Sequence, residues 1–179
     1  KDGYKVYYKS GEIAYFGNYD GNAAHAYDTN MDVYYLAKIV DRIGNSRTYN
    51  YTRNIANNEH KLSKISYPGG EVEFMYNGDR DDELESWKDG SQSKITQRLY
   101  RVEARVGTNI FRSYDLSYTH STLANQSLLY AITECGAEGA CISPTVFNWS
   151  DLSLVTIDEP VEADAYTYFE EAGYSKTDG

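Results

Sequence analysis

Tyr100-Arg101-Val102-Glu103-Ala104-Arg105-Val106-Gly107-Thr108-Asn109, followed shortly by Tyr114-Asp115-Leu116-Ser117-Tyr118-Thr119, decides the fold. Tyr100, Val102, Ala104 and Val106 alternate with Arg101, Glu103 and Arg105; Tyr114, Leu116 and Tyr118 alternate with Asp115, Ser117 and Thr119. Successive side chains of a strand point to opposite faces, so a period of two marks strands with one packed side. Gly107-Thr108-Asn109 lies between the two runs, and glycine and asparagine tolerate the positive φ of a tight turn. The stretch therefore predicts an antiparallel hairpin.

The same pattern extends outward. Val72, Phe74 and Tyr76 share one face, with Glu71 and Glu73 on the other. Ser10-Gly11, Gly44-Asn45, Pro68-Gly69-Gly70, Asn77-Gly78 and Asp89-Gly90 punctuate the chain as turns, and Asp2-Gly3 opens it. The charged stretch that follows Asn77-Gly78 reads as an exposed loop running through Trp87 to Ser93. Helical spacing is unconvincing everywhere; the nearest case, Glu159 to Glu171, is acidic and carries little apolar surface.

A loose repeat emerges. Leu36-Ala37-Lys38-Ile39 leads through Gly44 to Tyr49-Asn50-Tyr51, and Leu62-Ser63-Lys64-Ile65 through Gly69 to Phe74-Met75-Tyr76. Leu99-Tyr100-Arg101-Val102 leads through Gly107 to Tyr114–Tyr118, and Leu129-Tyr130-Ala131-Ile132 through Gly136 and Gly139 to Phe147-Asn148-Trp149. Each unit is a strand, a glycine turn and an aromatic strand. One hairpin alone is marginal in water, so such units are expected to add edge to edge into one growing sheet. The expected fold is all-β: an antiparallel, hairpin-rich, curled sheet over residues 1–150. Residues 151–179 form an acidic linker or a strand toward a next domain.

Composition agrees with large, half-wet sheets. The chain has 19 Tyr against 5 Phe and 2 Trp, and tyrosine packs its ring while its hydroxyl reaches water. The formal net charge of −10 argues against a nucleic-acid binder or a partner of anionic membranes, both of which need a positive surface. Apolar runs are too short to span a bilayer as a helix. The termini, Lys1-Asp2-Gly3 and Thr177-Asp178-Gly179, read as those of a piece excised from a longer chain, its targeting signal elsewhere.

Few residues point to chemistry. Cys135 and Cys141 enclose a glycine-rich loop. They are either a disulfide, worth about 2–3 kcal/mol when relaxed, or two buried thiols; zinc would need further ligands that are not close in sequence. His25, His60 and His120 stand in polar or turn contexts and read as surface or loop histidines, without a nucleophile motif to join. Asp79, Asp81, Asp82 and Glu83 offer clustered oxygens for calcium, but their spacing is not that of an EF-hand, and a solvated loop is the simpler reading. Glu103 and Glu134 would serve as a glycosidase pair only if the fold brought them together. Trp87, in the charged loop, is the candidate surface-binding aromatic, for instance for a sugar, whereas Trp149 reads as core. No catalytic residue, cofactor site or metal site is expected.

Specific segments carry a family resemblance. Leu36 to Asn45, as Leu-x-x-Ile-x-Asp-Arg-x-Gly-Asn, followed by Tyr49 and Tyr51, is similar to the YD-repeat theme of Rhs proteins. Asp2-Gly3 through Tyr7-Tyr8, Tyr34-Tyr35-Leu36 with its turn, Val72 to Tyr76, Arg98 through Tyr118, and Ile132 through Cys135 and Cys141 to Phe147-Asn148-Trp149 resemble, in that order, the SpvB-like region of a bacterial insecticidal toxin complex B component. The resemblance covers roughly residues 1 to 150, and the two-cysteine segment is its most specific part.

The resemblance implies a non-catalytic structural segment of a secreted toxin. In that family, hairpin strips coil with a neighbouring subunit into a hollow shell around an unfolded toxic cargo. The partners implied are therefore other toxin-complex subunits and the cargo. The acidic excess would repel an acidic guest, and exposed strand edges would let the isolated piece self-associate. The ADP-ribosyltransferase found in some parents of such domains is not implied. Nor is self-cleavage at an Asp-Pro site, a dipeptide this sequence lacks. A cell-surface or carbohydrate-binding β module of a secreted protein is the alternative.

Overall fold

The computed structural model describes residues 3–19, 26–28, 32–78, 80–88, 90–121 and 125–150. The chain divides into two units, Lys1–Trp149 and Ser150–Gly179. The expected acidic segment 151–179, including Glu159 to Glu171, lies outside the described residues.

Ten strands form one antiparallel sheet. Its order is β1 (Gly3–Tyr7), β2 (Ile13–Gly17), β5 (Leu36–Val40), β6 (Ser46–Asn54), β7 (Glu59–Tyr67), β8 (Gly70–Asn77), β11 (Arg98–Val106), β12 (Asn109–His120), β13 (Ser127–Gly136) and β14 (Thr145–Val146). Two hairpins are inserted between sheet neighbours: β3 (Tyr27–Asp28) with β4 (Val33–Tyr34), and β9 (Leu84–Lys88) with β10 (Ser91–Ile95). The only helical element among the described residues is a single 3-10 turn, Ile55–Asn57. The sheet is thus a meander in which each strand pairs with its sequence neighbour, apart from those two insertions.

The repeat read from the sequence has a register signature. The opening leucines lie opposite an aromatic of the preceding strand: Phe16 opposite Leu36, Tyr51 opposite Leu62, Tyr76 opposite Leu99 and Tyr118 opposite Leu129. Beside each of these pairs the register shifts, because the residue after the leucine (Ala37, Ser63, Tyr100 or Tyr130) is left without an opposite number. Such bulges bend a strand and increase its twist, so every unit carries its own device for turning the sheet.

The core is thin. Buried apolar residues are Ala14, Ala26, Ala37, Ala131 and Cys135, and the largest fully buried side chains are Asp28 and Ser113. No large apolar side chain among the described residues is fully buried. A two-layer sandwich would bury Val, Ile and Phe between its sheets; here a single layer leaves Val72, Phe74, Val102 and Leu116 only half-buried.

The charged loop expected after Asn77-Gly78 is in part a hairpin. Residues 84–95 are not a loop but the β9–β10 hairpin, turning at Gly90 with φ of 82°. Its alternation is masked because charge rather than apolarity pairs the strands. Lys94 meets Glu85 at 2.6 Å and Glu83 at 3.6 Å across the ladder, and such cross-strand pairs stabilise a sheet as apolar ones do.

Candidate functional site

The functional surface is the sheet itself, and its two faces differ. Cross-strand partners share a face. One face runs Val6–Ala14–Ile39, Tyr49–Ile65–Val72–Ala104, Phe74–Val102–Tyr114 and Leu116–Ile132. It is apolar. The other runs Lys64–Glu73–Glu103–Ser113–Cys135, with Glu71–Arg105 and Arg101–Asp115 beside it.

On that polar face Glu73 and Glu103 lie directly opposite each other, and cations beside them on β7 and β11 separate the like charges. Lys64 Nζ reaches Glu73 at 3.0 Å and Glu71 at 3.2 Å, Arg105 Nε reaches Glu73 at 2.9 Å, and the Arg105 guanidinium also holds Glu103. Arg101 then bridges Glu103 at 2.7 Å and Asp115 at 2.8 Å, and donates to the Ser113 hydroxyl. The Glu103 side chain is 5% exposed, a depth at which a carboxylate needs charged partners. Three cations thus meet four carboxylates across β7, β8, β11 and β12, so most of the charge is balanced and a small negative excess is left. The Glu71 and Glu73 carboxylates also hold Lys64 charged, pushing its ammonium above the usual range.

The repeat is clasped by aromatic donors. Tyr51 Oη donates to the Leu36 carbonyl (2.9 Å), Tyr76 Oη to Leu62 (2.9 Å) and Tyr118 Oη to Leu99 (2.7 Å). In the fourth unit Trp149 Nε1 donates to Leu129 (2.8 Å). Each unit thus ties its closing aromatic to its opening leucine. Burial pushes the Tyr51 hydroxyl up to about 12 and those of Tyr76 and Tyr118 upward, so all three keep the proton they donate. The Asp41–Asn45 turn of the first unit is fixed just as locally. The Asp41 carboxylate accepts from the Ile43 and Asn45 amides and the Asn45 side chain, each at 2.9 Å, and Gly44 takes φ of 93°. Those bonds, the Asn45 side chain foremost, hold the Asp41 carboxyl below its usual range.

Buried polar groups pin the inserted hairpins. Asp28, on β3, faces Arg53 Nη2 at 3.4 Å and His60 Nδ1 at 3.2 Å. The His60 side chain is fully buried and stacks on Tyr35 at 4.9 Å between ring centroids. Expecting His60 at the surface was therefore wrong: β3–β4 covers it, a contact that local sequence does not encode. Asn58, in the left-handed region, donates to Gln92 O, and Glu59 accepts from the Thr96 amide and hydroxyl. These hold the base of β9–β10. Burial opposes the charge on Glu59, but the Thr96 and Lys61 hydrogen bonds outweigh it and its carboxyl lies below the usual range.

The other sequence candidates are dispersed. Asp81 meets His120 (3.0 Å) and Arg98 (3.4 Å); Asp82 meets Arg80 (2.9 Å) and accepts from the Ser127 amide and hydroxyl; Glu83 meets Lys94. These carboxylates turn to separate cations rather than to one centre. Asp79 and His25 lie outside the described residues. Glu103 and Glu134 stand on opposite faces, since Glu103 is in register with Ser113 and Cys135 while Glu134 faces Tyr114; they do not form a pair. Trp149 is 53% exposed, not core. Trp87 is 67% exposed on β9. Cys135 and Cys141 are joined by a disulfide.

This architecture, one antiparallel layer grown from clasped hairpins, is a toxin-complex-like fold. In crystal structures of TcdB2-TccC3-Cdc42 and of TcdB2-TccC3 the similar region has TM-scores of 0.65 and 0.66 at 14% and 13% identity, covering 86% and 84% of this chain. The chain spans only 10% and 11% of those chains. The N-terminal domain of the effector protein SpvB from Salmonella typhimurium strain LT2 is similar over 83% of this chain and 62% of its own length, with a TM-score of 0.58 and 13% identity. No family model matches, and no curated protein matches in sequence at a significant level. Among the described residues, no helix is long and apolar enough to cross a membrane.

Proposed function

We propose that the chain is a non-catalytic wall segment of a secreted, bacterial, Rhs-like toxin shell that encloses or helps deliver an unfolded toxic cargo together with other toxin-complex subunits. The observation that carries the reading is the ten-stranded layer of clasped, bulged hairpins, against which only the two short inserted hairpins β3–β4 and β9–β10 are held among the described residues. A layer of this kind extends by adding hairpins. It distributes stability over neighbouring strands instead of one core. Its polar face is covered by ion pairs that balance most of their charge, a surface with little net charge to attract an unfolded chain.

The test uses the full parent polypeptide, purified with the toxin-complex subunit encoded beside it. Electron microscopy is expected to show a hollow particle, and a protease should leave its unfolded cargo intact. A solid particle, or a cargo digested as fast as the free polypeptide, would rule the wall out. A second reading, a carbohydrate-binding module, draws on the exposure of Trp87. A glycan array separates the two: a specific sugar signal abolished by Trp87→Ala supports the module.

A further inference from the structure

Lys64 and Lys94 pair with carboxylates, which offer an amine no good leaving group. Lys61, on β7, also meets a carboxamide. Its Nζ donates to Gln97 Oε1 at 2.5 Å and lies 3.2 Å from Glu59 Oε2. Glu59 and Lys61 are two residues apart on β7 and so share a face. Gln97 comes from the short link between β10 and β11, and in the sheet β8 runs between β7 and β11. Thr96 fixes that link in place. Its amide and hydroxyl donate to Glu59 at 3.0 and 2.8 Å, and its carbonyl accepts from the Arg80 amide at 3.0 Å. Water has little access to the contact. The Glu59 side chain is 2% exposed and that of Lys61 12%. Phe74 and Tyr76 line the same crevice, the Tyr76 ring centroid 5.7 Å from Lys61 Nζ. An amine, a carboxamide and a buried carboxylate are thus held together among aromatic rings.

We propose that Lys61 and Gln97 join in an intramolecular isopeptide bond, with Glu59 as the proton acceptor, and that the bond is a covalent staple from β7 to the foot of β11 across β8. The staple is independent of the shell reading. The reaction begins inside the ion pair. Lys61 Nζ gives a proton to the Glu59 carboxylate, which turns two buried charges into two neutral groups and frees the lone pair on nitrogen. That lone pair attacks Gln97 Cδ, and the carbonyl π electrons move to Oε1. A second proton passes from Nζ to Nε2, the Cδ–Nε2 bond breaks with its electron pair on nitrogen, and the carbonyl re-forms. Ammonia leaves and takes up the proton held by Glu59. One alkylammonium and one primary amide have become one secondary amide and one ammonium ion, with no further reagent. Contact between amine and carboxamide in the fold replaces a bimolecular encounter, and escape of ammonia into bulk water draws the reaction forward.

The experiment weighs the intact chain, so its deciding measurement needs no variant. Denatured mass spectra should show a mass lower than that of the sequence by one ammonia, either in the freshly purified protein or growing over days of incubation in the folded state. Proteolysis should release a branched peptide in which Lys61 is joined to Gln97, which separates this loss from a succinimide at Asn77-Gly78. Gln97→Glu keeps a partner for the lysine but has no ammonia to lose, and should retain the full mass of its sequence. Glu59→Gln removes the proton acceptor with little change of shape and should slow the bond at least about hundredfold, its circular dichroism spectrum remaining native. Full mass without a branched peptide, after incubation of the folded wild-type chain, overturns the staple. A bond that forms as fast in urea as in the folded chain, or as fast in Glu59→Gln, overturns the site as its cause.

Discussion

A tyrosine in a one-layer sheet can pack its ring against a neighbouring strand and still spend its hydroxyl on the backbone. Tyr51, Tyr76 and Tyr118 do this at equivalent places in successive units. The excess of tyrosine announced half-wet faces, but not the acceptors, because a leucine carbonyl becomes the partner only after the register is set. Each of Tyr51→Phe, Tyr76→Phe and Tyr118→Phe is expected to cost about 1 kcal/mol in urea unfolding, the net worth of one hydrogen bond, while Tyr7→Phe, 69% exposed, should change little. Carboxylates divide in the same way by depth. Glu103→Ala leaves Arg101 and Arg105 facing each other without their shared anion and should cost about 2 kcal/mol. That is less than a wholly buried pair because the arginines are partly solvated. Glu134→Ala breaks an exposed pair with Arg112 and should stay within about 0.5 kcal/mol. Asp82 sets an acid limit. The Arg80 guanidinium first, then the Ser127 amide and hydroxyl, hold its carboxyl far below the usual range. A carboxyl depressed in the folded state contributes stability that is present above its unfolded pKa and lost as pH falls toward the folded one. Asp82→Asn should therefore be less stable at neutral pH and show a shallower stability loss below about pH 4; parallel acid curves for the two proteins would show that the carboxylate is not coupled to folding.

Elements were legible where apolar periodicity carried them. β7, β8, β11 and β12 follow directly from alternation and glycine turns, and the four repeat units fall where the leucines placed them. β9 and β10 were missed because lysine and glutamate hold their ladder, and a charged stretch looks like a loop when only apolar spacing is counted. β3–β4 was missed because two-residue strands leave no periodic trace; its position is visible only through Asp28 against Arg53 and His60. The β9–β10 hairpin grows out of a junction that is already closed, since Asn77 and Arg98 lie opposite each other where β8 meets β11. Replacing residues 84–95 by a short Gly-Ser link should therefore leave the ten-stranded sheet intact, with the tyrosine region of the circular dichroism spectrum nearly unchanged and a stability loss of about 1–2 kcal/mol from the lost Asn58–Gln92 and Asn58–Ser93 hydrogen bonds. Global unfolding of that variant would mean that the hairpin is an organising element.

For the whole molecule, the physical consequence of one layer is that a strand senses only its neighbours. Sequence periodicity could distinguish sheet from helix, but a face that is apolar every second residue looks the same whether a second layer covers it or not; only the half-burial of Phe74, Val102 and their row shows the difference. A two-layer domain couples all its strands through a shared interior and unfolds as a unit. A row of hairpins behaves as a chain of local stabilities joined by interface terms. The ion-pair row adds a further link between β7, β8, β11 and β12, whereas β1 and β14 each have one neighbour in the sheet. Native-state hydrogen exchange should accordingly be graded along the strand order, highest in β8 and β11 and falling toward both edges, with Glu103→Ala lowering protection on β8, β11 and β12 more than on β1 and β2. If every strand instead exchanged through one common opening, and Glu103→Ala shifted all of them equally, the sheet would have to possess a shared core that its buried alanines do not provide.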